Sequence, residues 1–194
     1  MIAVVSGLPR SGTSLLMQML EAGGIPPLTD PAHAEAHRAP DASNPRGYYE
    51  LGAVRSLRHG APWIGSAEGH AVKVVAPLLT HLPAGPSYRV VFALRDVGDV
   101  VASQTAMLGR LGRPAGSAPV LRAAFARQVE GARALLEREA RFEALYVEHA
   151  DLVARPGDAA AQIAGFFSET GFGLDAAAMA GVVDPALHRS RTLG

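Results

Sequence analysis

The chain opens on an apolar, β-branched run from Ile2 to Val5. Gly7, Pro9 and Gly12 punctuate the next stretch, and Leu15, Leu16, Met19 and Leu20 then recur at helical spacing until Gly23 and Gly24. A short run with no polar alternation fits a strand buried on both faces, and a glycine pair ends a helix. The order is therefore strand, glycine-bearing loop, helix. The same kind of run returns at Ala71 to Ala76 (AVKVVA), Tyr88 to Leu94 (YRVVFAL) and Ala144 to Val147, with Pro77 to Leu82 turning between the first two. Helical periodicity fills the intervals. One helix is capped by Asp99 and runs to about Leu108. After the glycine- and proline-rich loop from Arg110 to Ala118, a long helix begins at Ser117 as N-cap, with Pro119 in its first turn. It buries Leu121, Ala124, Phe125, Ala132 and Leu135 and pairs Arg133 with Glu137. A short helix ends at Ala154-Arg155-Pro156, another opens at Asp158 with Ile163, Phe166 and Phe167 inward and closes at Gly171, and an alanine-rich helix follows. Strands alternating with helices predict an α/β domain with a central parallel sheet.

Between Ile25 and Trp63 the periodicity disappears. Prolines 26, 27, 31, 40, 45 and 62 break the segment, leaving a helix from Leu51 to His59 as its regular piece. Long irregular loops in compact domains are usually functional or mobile. This one carries His33, Glu35, His37, Asp41, Arg46, Tyr48, Tyr49 and Glu50, polar groups that are candidates for binding a ligand.

A strand, a glycine loop and a helix start leave backbone N–H groups converging on one spot, which suits an anion. Gly7 and Gly12 have the spacing of the front of a Walker motif, but Thr13 and Ser14 follow where its lysine belongs. That argues against ATP or GTP hydrolysis. Arg10 offers a planar, permanently charged fork instead, with the hydroxyls of Ser11, Thr13 and Ser14 beside it. Arg95 directly follows a strand, where ligands of open α/β sheets collect. Lys73, the only lysine, lies in a strand between valines, and its burial is costly unless a counter-charge meets it.

Composition narrows the classes. The 194 residues suffice for one sizeable core. Lysine plus arginine equals aspartate plus glutamate at 18 each, so no general affinity for nucleic acid or anionic membrane is expected, and anion binding must be local. With no cysteine there is no disulfide scaffold or thiolate metal site. No stretch reads as a signal peptide or membrane span, so a cytoplasmic protein is expected.

PRSGTS after a strand resembles the 5′-phosphosulfate loop of sulfotransferases that use 3′-phosphoadenosine 5′-phosphosulfate (PAPS), and SGLPRSGTSLLMQMLEAGG is similar to a bacterial branch of that family. RVVFALRDVGDVVASQ resembles the family's second signature, in which a strand-end arginine and a helix serine hold the 3′-phosphate; here these are Arg95 and Ser103. ALYVEHADLVARP is similar to a tyrosine–glutamate segment of many members, without placing Tyr146 in the site.

The resemblance implies a single three-layer domain over 1–194, P-loop NTPase-like, with an acceptor-side insertion at about 25–63. It implies transfer of a sulfuryl group from PAPS, without a metal, to a hydroxyl or amine of a small-molecule, glycan or peptide acceptor. PAPS falls to Arg10, Ser11, Gly12, Thr13, Ser14, Arg95 and Ser103, and catalysis to Arg10, Lys73 and a base. Cytosolic members read K-T-H-x-P with the histidine as base, whereas this chain reads KVVAP, with Val75 in the histidine's place. Other branches use a glutamate after the first helix. Glu50, in NPRGYYEL, is the choice here, and it needs a pKa raised by burial near Tyr48 and Tyr49. Glu35, His33 and His37 are the alternatives; the spacing of this trio is not that of a zinc site. Arg189 and Arg191 either close over the 3′-phosphate or belong to a frayed tail. Two rival readings stay open: a P-loop kinase or nucleotidase with Asp96 orienting magnesium, and a nucleotide-binding module without a competent base.

Overall fold

The computed structural model describes residues 1–30 and 47–184. His33, Glu35, His37, Asp41, Arg46, Arg189 and Arg191 lie outside these residues. Strand β1 (Ile2–Gly7) is buried along its whole length, as its unbroken apolar run requires. It pairs in parallel with β2 (Ala71–Lys73) on one side and β3 (Tyr88–Leu94) on the other, and β3 pairs in parallel with β4 (Phe142–Glu148), giving the order β2-β1-β3-β4. Val4 is in register with Val72 and Val90, and Gly7 with Ala93.

Successive residues of a strand face opposite sides of a sheet, and β1 divides accordingly. Ile2 and Val4 join Val72, Val90 and Phe92 against Ala132, Leu135 and Leu136 of the long helix Ala118–Arg138. Ala3 and Val5 join Val91, Ala93 and Val147 against a second set of helices. That set comprises α1 (Thr13–Gly23), through Leu16 and Leu20, and two later helices through Ile163, Phe167 and Met179. Helices on both faces of one parallel sheet make the three-layer α/β arrangement expected from the sequence. The other helices are α2 (Val97–Arg110), α3 (Ala118–Arg138), α4 (His149–Ala154), α5 (Pro156–Phe167) and α6 (Ala176–Gly181). Among the described residues no helix is long and apolar enough to cross a membrane.

Several local expectations are corrected. Strand β2 stops at Lys73 rather than Ala76; Val74 N–H still reaches the Val5 carbonyl at 2.9 Å, but Pro77 turns the chain into a 3-10 helix, Ala76–His81. The segment Gly52–His59 is also 3-10 rather than α. Asp96, not Asp99, caps α2: its Oδ1 accepts the Asp99 N–H at 3.0 Å. Ser117 holds the N-cap position of α3 without a side-chain capping bond. Arg133 sits over the Tyr146 ring, 5.1 Å from its centroid, rather than pairing with Glu137. Helix α5 starts at Pro156, a residue suited to a first turn, and Gly171 at φ 81° closes the 3-10 turn after it.

The topology also locates a crevice. The chain leaves β1 toward β2 on one side and leaves β3 toward β4 on the other, so the sheet switches direction between β1 and β3. In open α/β sheets such a switch point is where ligands bind, beyond the carboxyl ends of the strands.

Candidate active site

The β1–α1 loop is shaped for close backbone approach. Gly7 has φ 144°, and a Cβ there would lie 2.6 Å from Ser11 Oγ and 2.8 Å from the Ala93 carbonyl oxygen. Ser11 is 1% exposed, and both its N–H and its hydroxyl donate to the Leu8 carbonyl, at 3.2 and 2.8 Å, folding the loop upon itself. Gly12, at φ 103°, occupies the N-cap of α1, and its side chain-free position leaves no capping bond within the loop. Thr13 is buried and Ser14 half-buried at the start of the helix. Arg10 adopts φ 71°, a left-handed conformation that non-glycine residues rarely take and that clusters at functional sites.

Arg10 and Arg95 are tied together across the switch point. Arg95 Nη1 donates to the Arg10 carbonyl at 3.0 Å, and Arg10 Nε donates to Ser103 Oγ at 3.2 Å. The loop after β1, the end of β3 and the first turns of α2 thus meet through two guanidinium groups. The Arg95 side chain is only 9% exposed, with Asp99 Oδ2 at 4.0 Å from Nε. Its Nε and Nη2 are buried without a hydrogen-bond partner. Burial holds its guanidinium below the ordinary arginine value; Asp99 opposes this, and Arg10 adds repulsion. A buried cation with unspent donors is costly, and an anion accepting from them would remove that cost. The arrangement is therefore suited to an anion that accepts from Arg95 Nε and Nη2.

On the other side of β1, Lys73 is 8% exposed. Its Nζ donates to Ser14 Oγ at 3.3 Å and to the Tyr48 carbonyl, and lies 3.9 Å from Glu50 Oε1. Val5 and Lys73 are register partners, which turns the lysine to the α1 side of the sheet. Glu50 also meets Arg55 at 3.3 Å. Tyr49 does not wall Glu50 in by its hydroxyl, which donates to Glu21 instead. Lys73 thus brings together a hydroxyl of the first turn of α1 and Glu50, the base expected from the resemblance. Asp96, the magnesium-orienting carboxylate of the kinase reading, is engaged in capping α2.

His149, the first residue of α4 beyond the end of β4, was not singled out in the sequence. A Cβ on Gly12 would come 2.7 Å from His149 Cδ2, so the imidazole packs directly over the start of α1. Its signal was available: like Arg95, it follows a strand at the carboxyl edge of the sheet.

No family model matches the chain, and no curated protein matches it. Solved structures do. The sulfotransferase domain of the Synechococcus PCC 7002 olefin synthase is 19% identical, with 98% of this chain and 82% of its own covered and a TM-score of 0.53. A sulfotransferase from Mycobacterium avium is 15% identical over 98% of this chain and 69% of its own, with a TM-score of 0.52. A sulfotransferase from Alicyclobacillus acidocaldarius is 15% identical over 95% of this chain and 87% of its own, with a TM-score of 0.51. At these identities the likeness is one of fold, and over most of its length this chain has the fold of these sulfotransferases.

Proposed function

We propose that the chain is a PAPS-dependent sulfotransferase. The observation that carries this reading is Arg95: a guanidinium buried at the sheet's switch point, bonded once to the phosphate loop and retaining two buried nitrogens without a hydrogen-bond partner. A nucleotide phosphorylated at both ends of its ribose needs two neighbouring anion grips. The β1–α1 loop with Arg10 forms one, and Arg95 with Ser103 the other.

PAPS supplies an activated sulfuryl group, which moves to the acceptor oxygen or nitrogen as the bond to the 5′-phosphate breaks. Arg10, Gly12, Thr13 and Ser14 hold the 5′ side, with Ser11 folding the loop that presents them. Lys73, which donates to Ser14 Oγ, stabilises negative charge developing on the leaving phosphate. Glu50 takes the acceptor's proton, and its neighbour Lys73 keeps the two groups in one place. The acceptor belongs to a small molecule, glycan or peptide.

The test is conversion of PAPS to adenosine 3′,5′-bisphosphate by the pure protein, with EDTA present, across a panel of phenol, sugar, amine and tyrosyl-peptide acceptors. Acceptor-dependent release, abolished in Lys73→Met and slowed in Glu50→Gln, supports the reading. ATP hydrolysis that needs magnesium, with no release from PAPS, would replace it with the kinase reading. Tight bisphosphate binding without transfer to any acceptor would leave a binding module.

A further inference from the structure

Residues 47–50 are joined to α1 at two points. At one, Lys73 bridges Ser14 Oγ and the Tyr48 carbonyl. At the other, the Tyr49 hydroxyl donates to Glu21 Oε2. Ser14 and Glu21 are seven positions apart on α1, two turns along one face, so the helix carries both joints about 10 Å apart on the same side. Between them the backbone does something unusual: Tyr49 has φ 55°, in the left-handed region, where a bulky aromatic is an outlier that its surroundings must hold. Its ring packs against the core on the α1 side of the sheet. The Asp30 N–H donates to the Glu50 carbonyl at 3.3 Å, fixing the far end.

The kink has a chemical consequence. With Tyr49 left-handed, the carbonyl of Tyr48 and the carboxylate of Glu50 both reach Lys73 Nζ. We propose that Tyr49 and Glu21 are a positioning pair: the phenol–carboxylate bond keeps residue 49 in its left-handed state and thereby sets Lys73 and Glu50 against Ser14 of the donor loop. Neither residue touches the reacting atoms. So far as Lys73 and Glu50 serve sulfuryl transfer, this inference rests on the function proposed above; the geometry it asserts does not.

Because Lys73 is the only lysine, protein grown on ε-13C-lysine gives one resonance that reports on this nitrogen's surroundings directly. The spectrum is recorded without nucleotide for the wild type and for Tyr49→Phe, Glu21→Ala, Glu21→Gln and the Tyr49→Phe/Glu21→Ala double variant. The pair is supported if Tyr49→Phe and Glu21→Ala shift the resonance in the same direction, the double variant shifts it no further, and Glu21→Gln, which keeps an accepting oxygen, returns toward wild type. A Lys73 resonance unmoved by both single changes, or shifts that simply add, overturns it. Should Tyr49→Phe fail to fold, Glu21→Ala against Glu21→Gln, made at an exposed helix position, decides the same question.

A second arm measures PAPS turnover with an acceptor found active. Tyr49→Phe is expected to lower kcat about tenfold while changing affinity for adenosine 3′,5′-bisphosphate less than about threefold. A wild type that neither binds nor turns over the nucleotide removes the functional reading, while the resonance still decides the positioning pair.

Discussion

Replacing Arg95 by methionine separates a residue held for a ligand from one held for stability. In the folded protein the change removes the Nη1 bond to the Arg10 carbonyl, a charge-assisted contact worth about 1.5–3 kcal/mol. It also removes a 4.0 Å approach to Asp99, whose side chain is 27% exposed, worth about 0–1 kcal/mol. Against these losses stand two buried nitrogens with no hydrogen-bond partner, each carrying a desolvation cost of about 1–3 kcal/mol. The opposing terms largely offset each other, and the urea midpoint of Arg95→Met should correspond to a stability within about 2 kcal/mol of wild type. Binding should behave differently. Two charge-assisted bonds to a 3′-phosphate, at about 1.5–3 kcal/mol each, amount to a loss of at least about 100-fold in affinity for adenosine 3′,5′-bisphosphate. Adenosine 5′-monophosphate, which lacks that phosphate, should lose less than about threefold. Calorimetry with the two nucleotides reads both effects. The reasoning fails if Arg95→Met binds the bisphosphate like wild type, loses both nucleotides equally, or unfolds several kcal/mol more easily.

Arg10 adopts φ 71°, a conformation that costs a residue with a Cβ about 1–2 kcal/mol and glycine nearly nothing. Arg10→Gly should therefore unfold at higher urea than Arg10→Ala, while both lose nucleotide binding; equal or reversed midpoints would show that the loop is not strained there. Burial raises the Tyr146 pKa, with Glu137 adding to the rise and Arg133 opposing it, and the phenol oxygen is buried without a hydrogen-bond partner. A phenol whose folded pKa is raised contributes stability in full below the unfolded value of 10.0, and this is lost as pH climbs through the folded value. Tyr146→Phe should thus be within about 1 kcal/mol of wild type at pH 7 and should lose less stability than wild type above pH 10. Parallel pH profiles would contradict this.

What could be read from the chain and what could not divide along sequence distance. The β1–loop–α1 unit was legible because its signals are local: an apolar run, glycines where the backbone must turn left-handed, and a helical stripe ending in Gly23 and Gly24. Arg95 was legible as a strand-end residue for the same reason. Local signals also misled where two neighbours compete for one role. Asp96 and Asp99 can each cap a helix, and only the backbone decides that Asp96 does. Likewise AVKVVA reads as a full strand, yet Pro77 and the position of β2 at the sheet's edge end its pairing at Lys73. The surroundings of Lys73 were not legible. Ser14 lies 59 positions away and the Tyr48 carbonyl 25, and nothing in the local pattern announces that either will meet it. Nor does the pattern show that Tyr49 turns left-handed toward Glu21, since aromatics carry no such preference.

The two anion grips are tested most directly by a crystal structure of the protein grown with adenosine 3′,5′-bisphosphate and no added metal. The account requires the 5′-phosphate against the loop that carries Arg10, and the 3′-phosphate within hydrogen-bond distance of Ser103 Oγ and of Arg95 Nε and Nη2. Phosphates bound elsewhere, or an Arg95 guanidinium swung out to solvent, would contradict it.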